Sequence, residues 1–199
     1  MSITRSLEEM GAWLKAAICK DVKLKPMSPD APQNQRFDYH LVEPEVHVLY
    51  VPSHIDRPPE MEATVPAIVL QLMESKDDLK TQTRDLVVRL SFTAWDPGLH
   101  GQDILEPVGE GRYQTGPPSK LRPSVDGWRD AYNFMDRALR VIENSERIGA
   151  LGLKRDEGIT FGNYEWQDAP NELYPFWLCW CKCTVQETLT RNRELEEYL

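Results

Sequence analysis

The histidines His40, His47 and His54 recur every seven residues, and Asp56 follows the last of them. Imidazole and carboxylate groups bind divalent transition metals, so this set could form a metal site if the fold brought its members together. A spacing of seven aligns residues on a helix, but the segment around His47 is predicted as a strand, on which His47 points away from the other two. We interpret the histidines as exposed polar residues in and around an edge strand. A metal site that also uses Asp38 is the alternative.

A second set of metal-ligand residue types consists of Asp96, His100 and Asp103. The tripeptide Asp96-Pro97-Gly98 is first of all a turn sequence. These residues do not give a full ligand set at a defined spacing, so we interpret them as part of a turn and loop rather than as a metal centre.

Three of the four cysteines, Cys179, Cys181 and Cys183, alternate along one segment, and Cys19 lies far from them in the sequence. Residues two apart on a strand are separated by roughly 6–7 Å, so three such sulfurs do not converge easily on one tetrahedral ion. No CxxC pair is present. We predict that these cysteines are small hydrophobic residues on one face of a strand.

Common catalytic motifs are missing from the sequence: GxSxG, the phosphate-binding loop, HExxH and GxGxxG. The net charge of -9 argues against a protein whose main function is to bind the phosphate backbone of nucleic acids. Trp128 and Tyr132 are predicted on the core stripe of a helix, without the basic surroundings of a nucleic-acid stacking platform. The sequence therefore predicts a non-enzymatic protein with no cofactor, which acts by binding other proteins.

The chain has 199 residues, of which 41% are hydrophobic and 28% charged, as expected for one globular domain. We predict a single domain over 1–187 and a charged tail over 188–199. The first 20 residues have the pattern of an amphipathic helix rather than a signal peptide, and no segment is long enough to span a bilayer. We place the protein in the cytoplasm of the cell that makes it.

Hydrophobic periodicity predicts two long helices, over 3–20 with Ser2 as cap and over 127–147 with Asp126 as cap. Strands are predicted over 45–51, 65–73, 84–95, 159–166 and 176–186. These elements give an α+β fold, in which an antiparallel or mixed sheet of about five strands carries both helices on one face. The segment 96–123 shows no helical or strand-like hydrophobic periodicity, so we predict it as a long loop insertion.

The second face of this sheet is predicted to be partly apolar, and nothing obvious in a monomer would cover it. Such a face usually marks a subunit interface. The residues that we assign to it are Ile68, Leu70, Leu72, Phe176, Leu178 and Trp180.

The long loop carries Arg112, Lys120 and Arg122 close to Tyr113, in a chain that is otherwise acidic. Arginine and tyrosine are favoured at protein interfaces, so these residues, together with His100, are candidates for contact with a partner subunit. A solvated loop is the alternative interpretation.

The order of elements resembles that of the tail terminator (tail-completion) proteins of long-tailed bacteriophages and related contractile particles. The features that carry the resemblance are the amphipathic helix from Ile3 to Ile18, the strand that opens Val65-Pro66-Ala67-Ile68-Val69 and the alternating strand from Leu86 to Trp95. A loop, the helix from Trp128 to Ile142 and a last strand that begins Tyr174-Pro175-Phe176-Trp177 complete it. The resemblance is one of order and pattern. The segments 21–43 and 96–123 and the tail beyond 187 look like additions to the family's commoner size.

The resemblance implies a virion protein of the tail or neck that assembles in the host cytoplasm as a homo-oligomer, usually a ring of six subunits. Such a ring caps the finished tail tube, ends tube polymerisation and joins the tail to the neck or head. Its partners would be tail tube and sheath subunits and a neck or connector protein, with DNA passing through the ring without specific binding. Three alternatives remain: another connector, neck or baseplate subunit; a small metal-dependent hydrolase that uses His40, His54 and Asp56; and a cytoplasmic adaptor.

Overall fold

The computed structural model describes residues 2–27, 40–53, 55–117, 120–163 and 174–189. Two α-helices occur in these ranges, α1 (Ile3–Ala17) and α2 (Trp128–Glu143). The described strands are β1 (Glu45–Val48), β2 (Ala67–Asp78), β3 (Thr83–Trp95), β4 (Gly98–His100), β5 (Leu105–Gly109), β6 (Arg112–Thr115), β7 (Leu121–Pro123), β8 (Arg147–Ile148), β9 (Leu151–Leu153), β10 (Thr160–Asn163) and β11 (Phe176–Thr188). None of the helices in the described part of the chain is long and apolar enough to cross a membrane.

The main sheet has seven strands. Six of them follow the order β1-β2-β3-β11-β9-β8. The seventh, β10, pairs with the same edge of β11 as β9 does, but at a different part of that strand. β1 runs parallel to β2 and the remaining pairs are antiparallel, so the sheet is mixed. The alternating apolar residues of β3 drive this arrangement, because they bury one face along the whole centre of the sheet. Pro66 lies just before β2, where no ladder bond from its nitrogen is needed.

Both helices contribute to one core. The Ser2 hydroxyl accepts a hydrogen bond of 3.3 Å from the Arg5 amide and caps α1, as predicted. The buried face of α1 includes Leu7, Met10 and Leu14. The buried face of α2 includes Phe134, whose ring meets that of Phe92 on β3 edge-on, with centroids 5.2 Å apart. The predicted cap of α2 is wrong: Gly127 occupies the cap position and makes no side-chain bond.

The predicted fold of about five strands with two long helices on one face is wrong. Strands make up 42% of the structure, the mixed sheet is curled, and α1 is short. The difference arises because the segments 96–123 and 147–153 contain strands of two to five residues, too short to give a period of two. The last residues of the predicted 159–166 strand, and the predicted tail beyond 189, lie outside the described residues.

Candidate docking surface on the β-arm

The chain leaves β3 through an anchored turn at Asp96. Its carboxylate oxygen Oδ1 accepts hydrogen bonds from the Gly98 amide at 3.1 Å and from Lys25 Nζ at 2.7 Å. Its backbone carbonyl accepts a third bond, of 3.0 Å, from Trp177 Nε1. Gly98 has φ +120°, and a β-carbon there would lie 2.3 Å from the carbonyl oxygen of Arg122, so only glycine fits. These contacts fix the direction in which the following segment leaves the sheet.

The segment that follows is a nested β-ribbon, which we call the β-arm (residues 98–123). β4 pairs with β7 at its base, and β5 pairs with β6 at its far end. Two backbone bonds join the pairs, from the Gly101 amide to the Lys120 carbonyl and from the Gly116 amide to the Ile104 carbonyl. The expectation of an irregular loop is therefore corrected. Sequence periodicity missed the β-arm because its strands are short and contain proline and glycine.

A two-residue turn at Glu110-Gly111 closes the far end of the β-arm. Both residues have positive φ, 48° and 73°, as type I′ hairpin turns require. Gly109, just before the turn, also has positive φ, at the point where the register between β5 and β6 shifts. The Gly109–Gly111 segment was the sequence feature that could have predicted this hairpin.

The far end of the β-arm has one apolar face. Leu105 lies opposite Thr115, and Pro107 lies opposite Tyr113, so these four side chains share a side of the ribbon. We call them the arm face. Leu105 is 59% exposed and Tyr113 64% exposed, so the rest of the described chain does not cover this face. Val108, at the irregularity, is also exposed.

The basic residues singled out in the sequence lie along the β-arm, and Arg112 alternates with Tyr113, so its side chain points away from the arm face. Lys120 forms an ion pair with Glu106, which points to the opposite side of the ribbon. Arg112 and Arg122 are exposed and have no ion-pair partner among the described residues. His100 pairs with Leu121 through the backbone of the arm's base. The fold therefore gathers the predicted loop residues on one protruding element, while the interpretation of them as partner contacts stays a prediction.

The strand register corrects part of the predicted sheet interface. Ile68 lies opposite Phe92 and Leu70 opposite Leu90, and all four are fully buried in the core. Leu72 packs against the same core. The assignment of Ile68, Leu70 and Leu72 to the second face is wrong. The segment 65–73 is apolar at nearly every position, so its sequence alone does not say which side chains face the helices.

The other three predicted interface residues do lie on the second face. Leu178 is opposite Thr93 and Trp180 opposite Ser91, and Phe176 packs against Trp95. Phe176, Leu178 and Trp180 are each half-buried. The Trp180 indole lies against Gly162 and donates a hydrogen bond of 2.6 Å to the carbonyl of Asn163.

The histidines are not brought together in the described residues. His47 is buried, and its Nε2 atom lies 2.9 Å from the carbonyl oxygen of Thr64. The ring of His40 instead contacts the carboxylate of Glu62. Asp56 accepts a hydrogen bond from the Ser53 hydroxyl, while Asp38 and His54 lie outside the described residues. Within the described ranges, no group of three or more His, Cys, Asp or Glu side chains converges as a metal site would require.

The cysteines lie in the core, as predicted. Cys179 and Cys181 are fully buried on the helix-facing side of β11, and Cys183 continues their row. Burial raises the pKa of the thiols of Cys19, Cys179 and Cys183 from 9.0 to about 12. Desolvation also raises the pKa of Cys181. These groups stay protonated near neutral pH and so are poor nucleophiles and poor metal ligands.

Two open grooves beside β9 meet at Lys154. The ammonium group of Lys154 lies 2.6 Å from Glu157 and 2.9 Å from Asp85. Hydrogen bonds to these two carboxylates raise the pKa of Lys154 above its ordinary value. A lysine held in this way remains charged, so it offers neither a base nor a nucleophile.

No protein-family model matches the chain, and no curated protein matches it.

Proposed function

We propose that this protein is a structural subunit without catalytic activity, which works by docking to other proteins through its β-arm. The observation that carries the proposal is the arm face, where Leu105 and Tyr113 are exposed on the same side of a two-stranded ribbon. An isolated ribbon of two strands is only marginally stable in water. A partner that covers the arm face would remove apolar surface from water and stabilise the ribbon at the same time.

The β-arm is less acidic than the rest of the chain. The chain as a whole carries a net charge of -9, whereas residues 98–123 carry three cations, Arg112, Lys120 and Arg122, and three carboxylates, Asp103, Glu106 and Glu110. Like charges oppose docking, and the arm has no excess of negative charge that an acidic surface would repel. A second copy of this acidic chain is therefore a suitable partner for the arm.

In its specific form, the proposal follows the resemblance to tail terminator proteins. The protein would form a ring, of about six subunits in that family, on the end of the phage tail tube, where it ends polymerisation and joins the tail to the neck or head. Tail tube subunits, sheath subunits and a neck connector would be its partners in the virion. The order α1, β2, β3, β-arm, α2 and β11 supports this assignment. A closed ring uses a heterologous contact, in which one patch meets a different patch on the neighbour.

Native mass spectrometry of the wild type and of the double variant Leu105→Ser, Tyr113→Ser tests the docking role. We expect the wild type to assemble and the variant to remain a folded monomer, because both side chains are exposed and their loss leaves the core intact. The control is Gln114→Ser, on the opposite side of the same ribbon. A double variant that assembles as the wild type does would contradict the proposal.

Negative-stain imaging tests the specific role. We expect rings with a central hole that bind one end of purified tail tubes. Rings that ignore tubes but bind a connector or baseplate particle would instead assign the protein to those structures. A strictly monomeric protein at high concentration, also in the presence of tubes, would favour the adaptor and contradict the terminator assignment.

A further inference from the structure

Two cations face each other on the second face of the main sheet. Arg89 on β3 and Lys182 on β11 are direct partners in the antiparallel register. Each follows or precedes a fully buried core residue, Leu90 or Cys181, so both cationic side chains point away from the helices. Residues directly opposite in two strands have β-carbons roughly 4.5–5.5 Å apart, and like charges in such a pair are destabilising. We call Arg89 and Lys182 the cation pair.

The cation pair has no ion-pair partner in the part of the chain that the structure describes. The Arg89 guanidinium donates from Nε and Nη2 to the neutral Oε1 atom of Gln71, at 3.0 and 2.7 Å. Lys182 is exposed. The next acidic residue along β2 after Gln71 is Glu74, which lies opposite Val87 and forms no ion pair with either cation. Two positive charges therefore stand together without a counter-charge in a chain whose net charge is -9.

A buried hydroxyl without a hydrogen-bond partner lies next to the cation pair. Ser91 follows Arg89 by two residues on β3, so its side chain is on the same face of the sheet. Ser91 is only 6% exposed, and within the described chain its Oγ atom makes no hydrogen bond. A buried hydroxyl without a partner costs free energy. An acceptor supplied by a bound molecule would remove that cost.

An apolar platform adjoins the cation pair on the same face. Trp180 lies opposite Ser91. Its indole is held in place, because Nε1 donates a hydrogen bond of 2.6 Å to the Asn163 carbonyl and the ring packs over Gly162. Leu178 continues the row and is half-buried. A ring that is already fixed loses little conformational freedom when a partner covers it, so this platform is preorganised for binding.

We propose that the second face binds an acidic segment of a partner protein, with carboxylates on the cation pair and an apolar side chain on Trp180. Charge complementarity identifies this occupant, because a carboxylate between Arg89 and Lys182 neutralises two cations that otherwise repel each other. Arg89 keeps Nη1 for this bond, since Gln71 accepts only from Nε and Nη2. A nucleic acid also carries anions, but a chain of net charge -9 repels a long polyanion. This surface is separate from the β-arm, and the inference does not depend on the arm.

Binding of a short labelled peptide tests the inference. The probe is acetyl-Glu-Leu-Glu-Leu-Glu-amide, and fluorescence anisotropy measures its dissociation constant with the full-length protein. The matched control peptide has lysine in place of each glutamate. We expect the wild type to bind the acidic peptide more tightly than the basic one, although the net charge of the protein favours the opposite order. Absence of binding, or tighter binding of the basic peptide, would overturn the inference.

Charge reversal at two exposed lysines of the same face localises the binding. Lys182→Glu should raise the dissociation constant of the acidic peptide by about tenfold or more. The control Lys76→Glu changes the net charge equally, but Lys76 lies opposite Asp85 and away from the cation pair, so we expect a change below about threefold. Equal losses in both variants would show that only overall charge matters and would contradict the inference. If the peptide does not bind but Lys182→Glu lowers the oligomeric mass in native mass spectrometry, the occupant is a second copy and the proposed partner is wrong.

Discussion

The hydroxyl of Ser6 on α1 donates a hydrogen bond of 2.5 Å to the carboxylate of Glu187, near the end of β11. Both residues are buried, although 181 positions separate them in the chain. The other carboxylate oxygen of Glu187 accepts a bond of 3.2 Å from Arg84 on β3. This network ties the first helix to the end of the central strand pair.

Replacement of Glu187 by alanine should weaken that connection. It leaves the Ser6 hydroxyl without its carboxylate partner and removes one of the two carboxylates that bind Arg84. The Ser6 hydroxyl keeps its bond of 3.1 Å to the Ser2 carbonyl. We therefore expect the free energy of unfolding to fall by about 1–3 kcal/mol, the usual cost of losing a buried hydrogen bond to a charged group. Urea denaturation measures this change in the free energy of unfolding. The control is Glu8→Ala, at an exposed position of α1. Equal midpoints for the two variants would contradict the structural role of Glu187.

Gly98→Ala should loosen the base of the β-arm. Gly98 and Gly109 both have positive φ, but only at Gly98 would a new methyl group meet backbone, 2.3 Å from the Arg122 carbonyl. We expect Gly98→Ala to destabilise the protein by more than the roughly 1 kcal/mol that strain alone costs at Gly109→Ala. Limited trypsin digestion should cut Gly98→Ala faster after Arg112 and Lys120. Identical digestion of the two variants would argue against the clash.

The core position of Leu70 predicts a large effect of its truncation. Leu70→Ala removes a fully buried side chain and should cost about 2–5 kcal/mol. Met73→Ala, on the same strand but 51% exposed, is the control and should change stability by less than about 1 kcal/mol. Thermal or urea unfolding compares them. If Leu70→Ala changed stability as little as Met73→Ala does, the core position of Leu70 would be contradicted.

The buried thiols predict a loss of stability in alkali. In the unfolded chain the thiols ionise near 9.0, whereas in the folded protein Cys19, Cys179 and Cys183 have pKa values of about 12. Between these values the folded state holds more protons than the unfolded state, so the free energy of unfolding falls as pH rises through this window. Urea midpoints from pH 8 to 11 should therefore decrease, and less steeply when Cys179 is replaced by alanine. At pH 8 a thiol reagent should label the native protein slowly and the denatured protein at all four cysteines.

The sequence predicted the elements whose side chains repeat over several turns or strand positions. The helix from Ile3, its cap at Ser2 and the alternating strand β3 all follow from local pattern. Face assignment on β2 failed because that strand is apolar on both sides, and only its register with Phe92 and Leu90 decides which side chains enter the core.

The candidate site was predicted only in outline. Arg112, Tyr113, Lys120 and Arg122 were identified by residue type, but their placement on a ribbon depends on strand pairs of three to five residues. The exposure of Trp128 was not predicted. Trp128 and Tyr132 both fit the apolar stripe of α2, but Trp128 is the first residue of the helix and is 47% exposed, which no local pattern encodes.

Hydrogen exchange of the β-arm amides, measured across a range of protein concentrations, tests most directly whether the arm is the docking surface. We predict that amides of Leu105–Gly109 and Arg112–Thr115 exchange rapidly in the dilute monomer and become protected as the protein assembles, because docking orders the ribbon. Amides of β3 should be slow in both states and serve as the internal reference. Assembly that proceeds while the arm amides exchange as fast as in the monomer would contradict the account.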